Sequence, residues 1–454
     1  MELNDFLQLY STHTEITGLA NELKQANAPS FILNGLSGSA PSVVTATLYQ
    51  LLTKQMVIVM NDREEAAYFY DNLHALGFEE QILFFPSSYR RGILTEKTES
   101  ENIILRTDIL NKLVQNEEKY IVVTYPEAIA EKVLSGSGLE KHTLLIRTGE
   151  RLSIAFINEV LNEYGFERVE FVYEPGQYSI RGSIVDIFSF SNEDPYRVDF
   201  FGDEIDSIRT FDIEDQISKE NLSRVAIIPN IQEGLKDELR VSFFEFLSAD
   251  TCLLADNFRF LLERSKGLAT EIAANHPKNN QDKLIITENE LNEAIQKFIC
   301  IELGNSFLLE DATEITFNTS PQPTFNKNFD LLGANLKENR LKGYRNIILS
   351  SSPKQIERLH AIFDDKGDPQ KFDSLPFASQ EGLIDHDLKI CCYNDHQIFE
   401  RYHRFKLRSK KPSRQAITLK ELSKLHPGDY VVHIDHGIGK FAGLVKTEAN
   451  GKVQ

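Results

Sequence analysis

The sequence predicts a multidomain α/β protein whose first domain is a parallel sheet interrupted by a β-rich insertion. Three observations lead to this prediction. Strands and helices alternate from residue 30 to residue 124, which is typical of a parallel sheet covered on both faces. Residues 178–211 instead alternate apolar and polar positions between turn residues, the pattern of an antiparallel meander. An apolar strand at residues 251–255 then returns to the first pattern.

A chain of 454 residues is too long for a single hydrophobic core, so we expect several domains. The expected segments are 1–140 (first part of the α/β domain), 141–228 (β-rich domain), 229–314 (second part of the α/β domain), 315–400 (a second, small α/β domain), 401–416 (basic linker) and 417–454 (start of a small β-barrel).

Composition restricts the classes of partner and compartment. The formal net charge is −19, which disfavours broad contact with DNA phosphate, because such contact depends on displacing counterions with Lys and Arg. The charge is equally consistent with a role in solubility alone. The four cysteines, two of them adjacent at Cys391 and Cys392, show no metal-ligand spacing and indicate a reducing cytoplasm. No apolar run reaches membrane-spanning length and no secretory signal follows Met1, so we expect no membrane contact.

Apolar periodicity and capping residues place the individual elements. We expect helices over residues 5–27, 41–52, 62–77, 98–115, 153–164, 257–274 and 353–365. We expect strands over residues 31–33, 56–60, 82–85, 120–124, 251–255, 346–349 and 388–392. No paired acid that could hold a metal follows the strand at 120–124, where the chain continues with Tyr125, Pro126 and Glu127.

The loop between the first strand and its helix reads GLSGSAPS, residues 35–42. A strand, a loop of small residues and a helix are the setting of a phosphate-binding loop, and the spacing G-x-x-x-x-G-K-[ST] fits from Gly35 to Ser42. Gly38 keeps the small-residue character, but Ala40 replaces the second glycine of the motif and Pro41 replaces its lysine. Pro41 removes a cation and a backbone N–H, although proline suits the first helical turn. We expect a degenerate loop that binds no nucleotide, with anion binding at the helix N-terminus as the alternative.

The β-rich stretch predicts one strand over residues 178–190 and two more over 196–201 and from about residue 205. It contains the runs RGSIVDIF (181–188), PYRVDFFGDEI (195–205) and SIRTF (207–211). These runs resemble the small β-rich domain that UvrB shares with the transcription-repair coupling factors, the Mfd family. The resemblance implies a domain that docks onto the repair ATPase UvrA.

Two arginines match UvrA-contacting positions of these families. By resemblance, Arg168 takes the Gly-Tyr-x-Arg position and Arg181 lies on the next strand, whereas Ser179 replaces a further arginine of UvrB. A planar guanidinium that is always charged suits a partner carboxylate. The alternative is that Arg181 pairs across the strands with an acid such as Asp199, or simply faces solvent.

Residues 428–439 read GDYVVHIDHGIG. We predict a strand at 430–434, a turn at 435–439 and a second strand at 440–445. The run resembles the small SH3-like barrel of CarD and of the coupling factors, which implies contact with the β subunit of RNA polymerase. The chain stops about two strands into the expected barrel. His433, Asp435 and His436 suggest a metal site, but two histidines without a third ligand favour a structural turn. The basic run at 401–414 predicts a solvated linker, with contact to phosphate or an acidic partner as the alternative.

Two departures separate the chain from UvrB. One is the degenerate loop, and the other is a short segment at residues 86–95 where UvrB has a long tyrosine-rich hairpin for damaged DNA. The chain is therefore identified as a member of the coupling-factor family, with a degenerate helicase-like sheet, a UvrA-docking domain and the start of a polymerase-binding domain.

The family implies a parent protein that is an ATP-dependent DNA translocase, whose motor binds ATP, Mg²⁺ and DNA. Within this chain we expect no catalytic residue, cofactor or metal, and docking of UvrA and RNA polymerase. The alternatives are an active UvrB-like repair helicase subunit and a stand-alone polymerase-binding regulator built around residues 425–454.

Overall fold

A computed structural model gives the structure of the chain. It describes residues 1–25, 30–88, 100–115, 118–190, 192, 194–213, 215–229, 240–275, 285–303, 309, 311–377, 379–401, 428, 430–433, 437–440, 448–449 and 452–453. Residues 1–406 form one compact unit and residues 407–454 a second.

Thirteen α-helices lie in the described residues: α1 Leu3–Ser11, α2 Thr14–Gln25, α3 Ala40–Leu52, α4 Arg63–Ala75, α5 Ser100–Gln115, α6 Pro126–Ala130, α7 Gly136–Lys141, α8 Ile154–Glu163, α9 Phe258–Asn275, α10 Glu288–Ile295, α11 Phe329–Leu341, α12 Pro353–Asp365 and α13 Asp395–Ile398. A 3₁₀ helix spans Phe243–Phe246. Among these described helices, none combines the length and the apolar character needed to cross a bilayer.

The described strands are β1 Ser30–Asn34, β2 Met56–Val59, β3 Ile82–Phe84, β4 Ile121–Thr124, β5 Val133–Leu134, β6 Leu144–Arg147, β7 Glu167–Arg168, β8 Gln177–Arg181, β9 Ile184–Ile187, β10 Tyr196–Phe201, β11 Glu204–Phe211, β12 Ser218–Leu222, β13 Arg224–Ile227, β14 Arg240–Val241, β15 Cys252–Ala255, β16 Ile299–Glu302, β17 Thr313–Thr316, β18 Thr319–Pro321, β19 Arg345–Leu349, β20 Asp373–Leu375, β21 Leu383–Asp385, β22 Ile390–Asn394, β23 Tyr430–His433, β24 Gly437–Lys440, β25 Glu448–Ala449 and β26 Lys452–Val453.

Seven parallel strands form the central sheet, in the order β17-β1-β16-β15-β2-β4-β3. β2, β4 and β15 are buried along their whole length, as expected for strands covered on both faces. β15 follows the β-rich insertion in the chain and pairs with β2, so the predicted return to the first sheet is confirmed.

The β-rich insertion is a six-stranded sheet in the order β12-β11-β10-β9-β8-β7. The prediction of one strand over 178–190 is wrong, because the chain reverses at Gly182 and β8 and β9 form an antiparallel hairpin. Gly182 has φ +62°, a conformation that glycine adopts without a Cβ penalty. β6 and β13, at the entry and exit of the insertion, pair with each other.

A third sheet has the order β18-β21-β22-β19-β20 and is packed by α11 and α12. Its core includes Leu332, Leu336, Ile348, Leu359 and Phe363, all at most 2% exposed. The boundary expected between residues 314 and 315 falls inside β17, which pairs with β1 through Thr316. β18 starts only three residues later and belongs to the third sheet, so the change of sheet takes place at residues 317–318.

The single helix expected over residues 5–27 is two helices, α1 and α2. The hydroxyls of Ser11 and Thr12 donate to the carbonyls of Gln8 and Leu9, which ends α1. The His13 Nδ1 then accepts the amide hydrogen of Glu15 and caps α2, at 3.2 Å.

In the second unit, the structure describes two hairpins, β23-β24 and β25-β26. Gly437–Lys440 pairs with Tyr430–His433, from His433↔Gly437 to Tyr430↔Lys440, so the second strand begins within the turn expected at 435–439. Residues 441–445 of the expected strand lie outside the described residues. Most of the expected basic linker, and Asp435 and His436 of the suggested metal site, lie outside the described residues.

Candidate functional site

The loop at residues 35–42 has the backbone of a glycine loop at a helix N-terminus. Gly35 and Gly38 have φ values of +76° and +58°, in the left-handed region that favours glycine. α3 begins within this segment, at Ala40, and Pro41 lies in its first turn. The strand, loop and helix predicted from the sequence are therefore present.

The loop makes close contacts with residues of the chain that lead into the third sheet. The backbone amide of Ser37 donates to the hydroxyl of Thr319 at 2.8 Å, and that hydroxyl donates to the carbonyl of Gly35 at 2.7 Å. A Cβ on Gly35 would overlap the carbonyl oxygen of Phe317, and one on Gly38 would overlap that of Gly382. The two glycines thus serve close packing against the third sheet.

The hydroxyl at the end of the motif is also used internally. Ser42 is 2% exposed, and its Oγ accepts from the Asn72 side-chain amide at 3.3 Å. The Asn72 Oδ1 in turn accepts from the Gln380 backbone amide at 3.1 Å. In a working loop this hydroxyl would hold Mg²⁺, whereas here it lies in a buried network that joins α3, α4 and the third sheet.

A buried ion pair joins α5 to the residue that follows α6. Arg106 is fully buried and lies 3.4 Å from Glu131, which is 4% exposed. Arg106 also donates to the carbonyls of Pro86 and Ala128, at 2.7 and 2.9 Å. Glu131 accepts the Ser88 amide and hydroxyl, at 3.1 and 2.7 Å. These bonds fix Ser88, near the start of the segment expected to be shorter than the UvrB hairpin, and residues 89–95 of that segment lie outside the described residues.

The polar face of the β-rich sheet carries Arg181 at the end of β8. Its Nη2 donates to the carboxylate of Asp186 on β9, which is 1% exposed. Arg197 on β10 binds the same carboxylate through two bonds, Nε to Oδ1 at 2.7 Å and Nη2 to Oδ2 at 3.0 Å. This carboxylate bond is the main reason why the pKa of Arg197 is raised. One buried acid therefore holds two guanidinium groups.

An exposed aromatic residue, Phe171, lies next to Arg181. The guanidinium carbon of Arg181 is 4.8 Å from the centre of the Phe171 ring, and the Arg181 side chain is 34% exposed. Phe171 and Tyr173 are 40% and 56% exposed, unusual values for large apolar side chains. A partly exposed arginine that lies over an exposed aromatic ring is typical of the anchor residues found in protein interfaces.

The structure does not bring Arg168 and Arg181 into contact. Arg168 is exposed and lies opposite Tyr178 in the register of β7 and β8. Side chains alternate along a strand, so Arg168 lies on the Tyr178 face and Arg181 on the other. Ser179, which replaces the third arginine of UvrB, is 1% exposed and donates to the carbonyl of Glu170 at 2.8 Å.

The alternative that Arg181 pairs across the strands with an acid is confirmed, but the acid is Asp186 and not Asp199. Asp199 pairs with Arg209 and accepts the Ser207 hydroxyl at 3.1 Å, because β10 and β11 place these residues side by side. The sequence analysis missed Asp186, although it is a lone acid within the apolar run at 184–188. A buried acid needs a neighbouring cation, so the position of Asp186 within an apolar run could have identified it as the partner of an arginine.

His13, Asp385 and Asp387 place one ligand atom each within 4.8 Å of one another. The hydrogen bonding of His13 favours a proton, and not a metal ion, on its Nε2 atom. The His13 Nδ1 accepts the Glu15 amide hydrogen, so a neutral ring carries its proton on Nε2, the atom 3.7 Å from Asp387. A metal-binding histidine shows the reverse pattern and donates from its second nitrogen.

Comparison with known families adds to this geometry. Residues 144–232 match the family model described as the UvrB interaction domain. Residues 425–454 match the model described as the CarD-like/TRCF RID domain. The first match contains Arg168, Arg181 and Asp186.

Curated relatives match the chain over nearly its whole length. The transcription-repair-coupling factor of Bacillus subtilis (strain 168) is 24% identical over 521 residues, with 96% of this chain and 43% of that protein covered. That of Staphylococcus haemolyticus (strain JCSC1435) is 24% identical over 502 residues, with 92% and 42% covered. The chain is therefore similar to transcription-repair coupling factors over nearly its whole length.

The chain spans less than half the length of these coupling factors. Among solved structures, Mss116p bound to ssRNA and AMP-PNP is matched over 81% of this chain and 58% of that chain, at 11% identity and a TM-score of 0.20.

Proposed function

We propose that this chain is the partner-docking portion of a coupling factor, in which residues 144–232 bind UvrA. The observation that carries the proposal is the presentation of Arg181 by the buried Asp186, inside the region that matches the UvrB interaction domain. A half-exposed guanidinium over an exposed aromatic ring suits a carboxylate of a protein partner. Arg168, on the other face of the same sheet corner, extends the surface around the edge strand β7.

We propose that RNA polymerase, through its β subunit, binds the region that begins at residue 425. The match of residues 425–454 to the CarD-like/TRCF RID domain supports this second partner. The long match upstream of residue 425 disfavours a stand-alone polymerase regulator. We place the protein in the cytoplasm, as the four free cysteines support.

We also propose that this portion binds no ATP, and that ATP, Mg²⁺ and DNA are bound by a motor in the rest of the parent protein. Pro41 in place of the lysine and the bond from Ser37 to Thr319 support this division. Both features disfavour an active UvrB-like helicase subunit, which needs a cation and free amides for phosphate.

A binding experiment with the 454-residue chain tests the proposal. Immobilised chain should bind purified UvrA and purified RNA polymerase without hydrolysing ATP. A chain that ends at Lys406, the boundary of the first compact unit, should keep UvrA and lose polymerase. Failure to bind UvrA, or ATP turnover that is abolished by altering residues 35–42, would contradict it.

A further inference from the structure

The carboxylate of Asp186 is shared unequally by its two arginines. Arg197 binds both oxygens, donates from Nη1 to the Gln216 carbonyl at 3.0 Å, and lies 4.3 Å over the Phe211 ring. Its side chain is only 14% exposed. Arg181 binds Asp186 through Nη2 alone, and its Nε and Nη1 have no hydrogen-bond partner among the described residues. Arg197 is therefore a fixed part of the sheet, whereas Arg181 keeps N–H groups that Asp186 does not use.

The cluster of Asp186, Arg181 and Arg197 has one more positive than negative charge. One carboxylate faces two guanidinium groups, so Asp186, Arg181 and Arg197 together carry one positive charge. If Arg181 binds an external carboxylate, Asp186 keeps the two bonds from Arg197 and is not left as an unpaired buried charge. An unpaired buried carboxylate would strongly destabilise the fold, and Arg197 removes that penalty.

We propose that Asp186 is a positioning residue that presents Arg181 to an acidic side chain of the partner, and that Arg197 makes this possible. The occupant is a carboxylate that accepts N–H groups of Arg181 not used by Asp186, while its flanking apolar atoms lie on Phe171. The chain as a whole is acidic, so this local positive charge distinguishes the site from the surrounding surface. The inference rests on the proposed binding of UvrA.

A double-mutant cycle with purified UvrA tests the inference. Asp186→Asn keeps the shape of the side chain and removes its charge, so Arg181 loses its restraint and the affinity falls about 10-fold, within the range for interface anchors. In a chain that already carries Arg181→Ala, Asp186→Asn should change the affinity less than about twofold, because a positioning residue acts only through Arg181. Asp199→Asn is the matched control on the same face, and its effect should be equal in both backgrounds.

Each outcome has a defined meaning. If Arg181→Ala leaves UvrA binding unchanged, the proposed docking role of Arg181 fails. If Arg181→Ala weakens binding but Asp186→Asn has no effect, or the same effect in both backgrounds, the positioning role alone is overturned. If the Asp186→Asn variant does not fold, Arg197→Lys is tested in its place. A lysine ammonium cannot make both bonds of Arg197 to Asp186, so Asp186 should bind Arg181 more tightly and leave it less available to the partner. Arg197→Lys should then weaken binding only in chains that contain Arg181.

Discussion

The backbone amide of Ser37 donates to the hydroxyl of Thr319 at 2.8 Å, so an N–H group that would bind phosphate in a working loop is bound to the chain itself. The same hydroxyl donates to Gly35, and Gly38 lies against the carbonyl of Gly382. The geometry of the loop thus serves the packing of the central sheet against the third sheet.

Gly38→Ala should destabilise the chain by about 3 kcal/mol, because the new methyl would overlap the Gly382 carbonyl in addition to straining a positive φ. Urea unfolding of the purified variant measures this free energy. Gly367→Ala is the control, since Gly367 has a similar φ of +67° and open space at its Cβ position. It should cost only about 1 kcal/mol. Equal losses in the two variants would show that the contact with Gly382 is unimportant.

Glu131→Ala should lower the free energy of unfolding by about 3–5 kcal/mol, because it leaves the buried Arg106 guanidinium without its carboxylate. The neighbouring Glu127→Ala removes a more exposed ion pair, with Arg264 at 2.8 Å, and should cost less than about 1 kcal/mol. Denaturant unfolding compares the two variants. A small effect of Glu131→Ala would mean that Arg106 is satisfied by the carbonyls alone.

The cysteines should resist thiol reagents in the folded chain. Burial raises the pKa of Cys252 to about 11 and that of Cys300 to about 12, from an ordinary value of 9. At pH 8 a thiol reagent should therefore react fully only after unfolding. Above about pH 9 the unfolded chain loses thiol protons that the folded chain keeps, so stability should fall as the pH rises. Rapid labelling of the native chain would contradict the burial.

Much of the fold was predictable because its signals are local. Buried apolar runs gave β2, β4 and β15, and the proline at the start of α3 and of α12 marked helix N-termini. The turn at Gly182 was missed because apolar residues continue on both sides of it, so periodicity alone shows no break. The boundary at β17 was misplaced because a three-dimensional pairing with β1, and no change in composition, assigns that strand.

The site was predictable only in part. Arg168 and Arg181 were named from a family resemblance, but their placement on opposite faces depends on the register of β7 against β8. The partner of Arg181 depends on which acid the hairpin brings opposite, and the hairpin had been read as a single strand. Phe171 and Tyr173 were missed because exposure of an aromatic residue has no signature in a single sequence.

The affinity of the 454-residue chain for purified UvrA, with and without Arg181→Ala, tests the central claim most directly. The account predicts a loss of about 2 kcal/mol, roughly 30-fold, because the interface loses its charged anchor. Arg345→Ala removes an exposed, ion-paired arginine of the third sheet and should leave the affinity unchanged. If folded Arg181→Ala protein binds UvrA as tightly as the parent chain, the docking surface described here is not the one that UvrA uses.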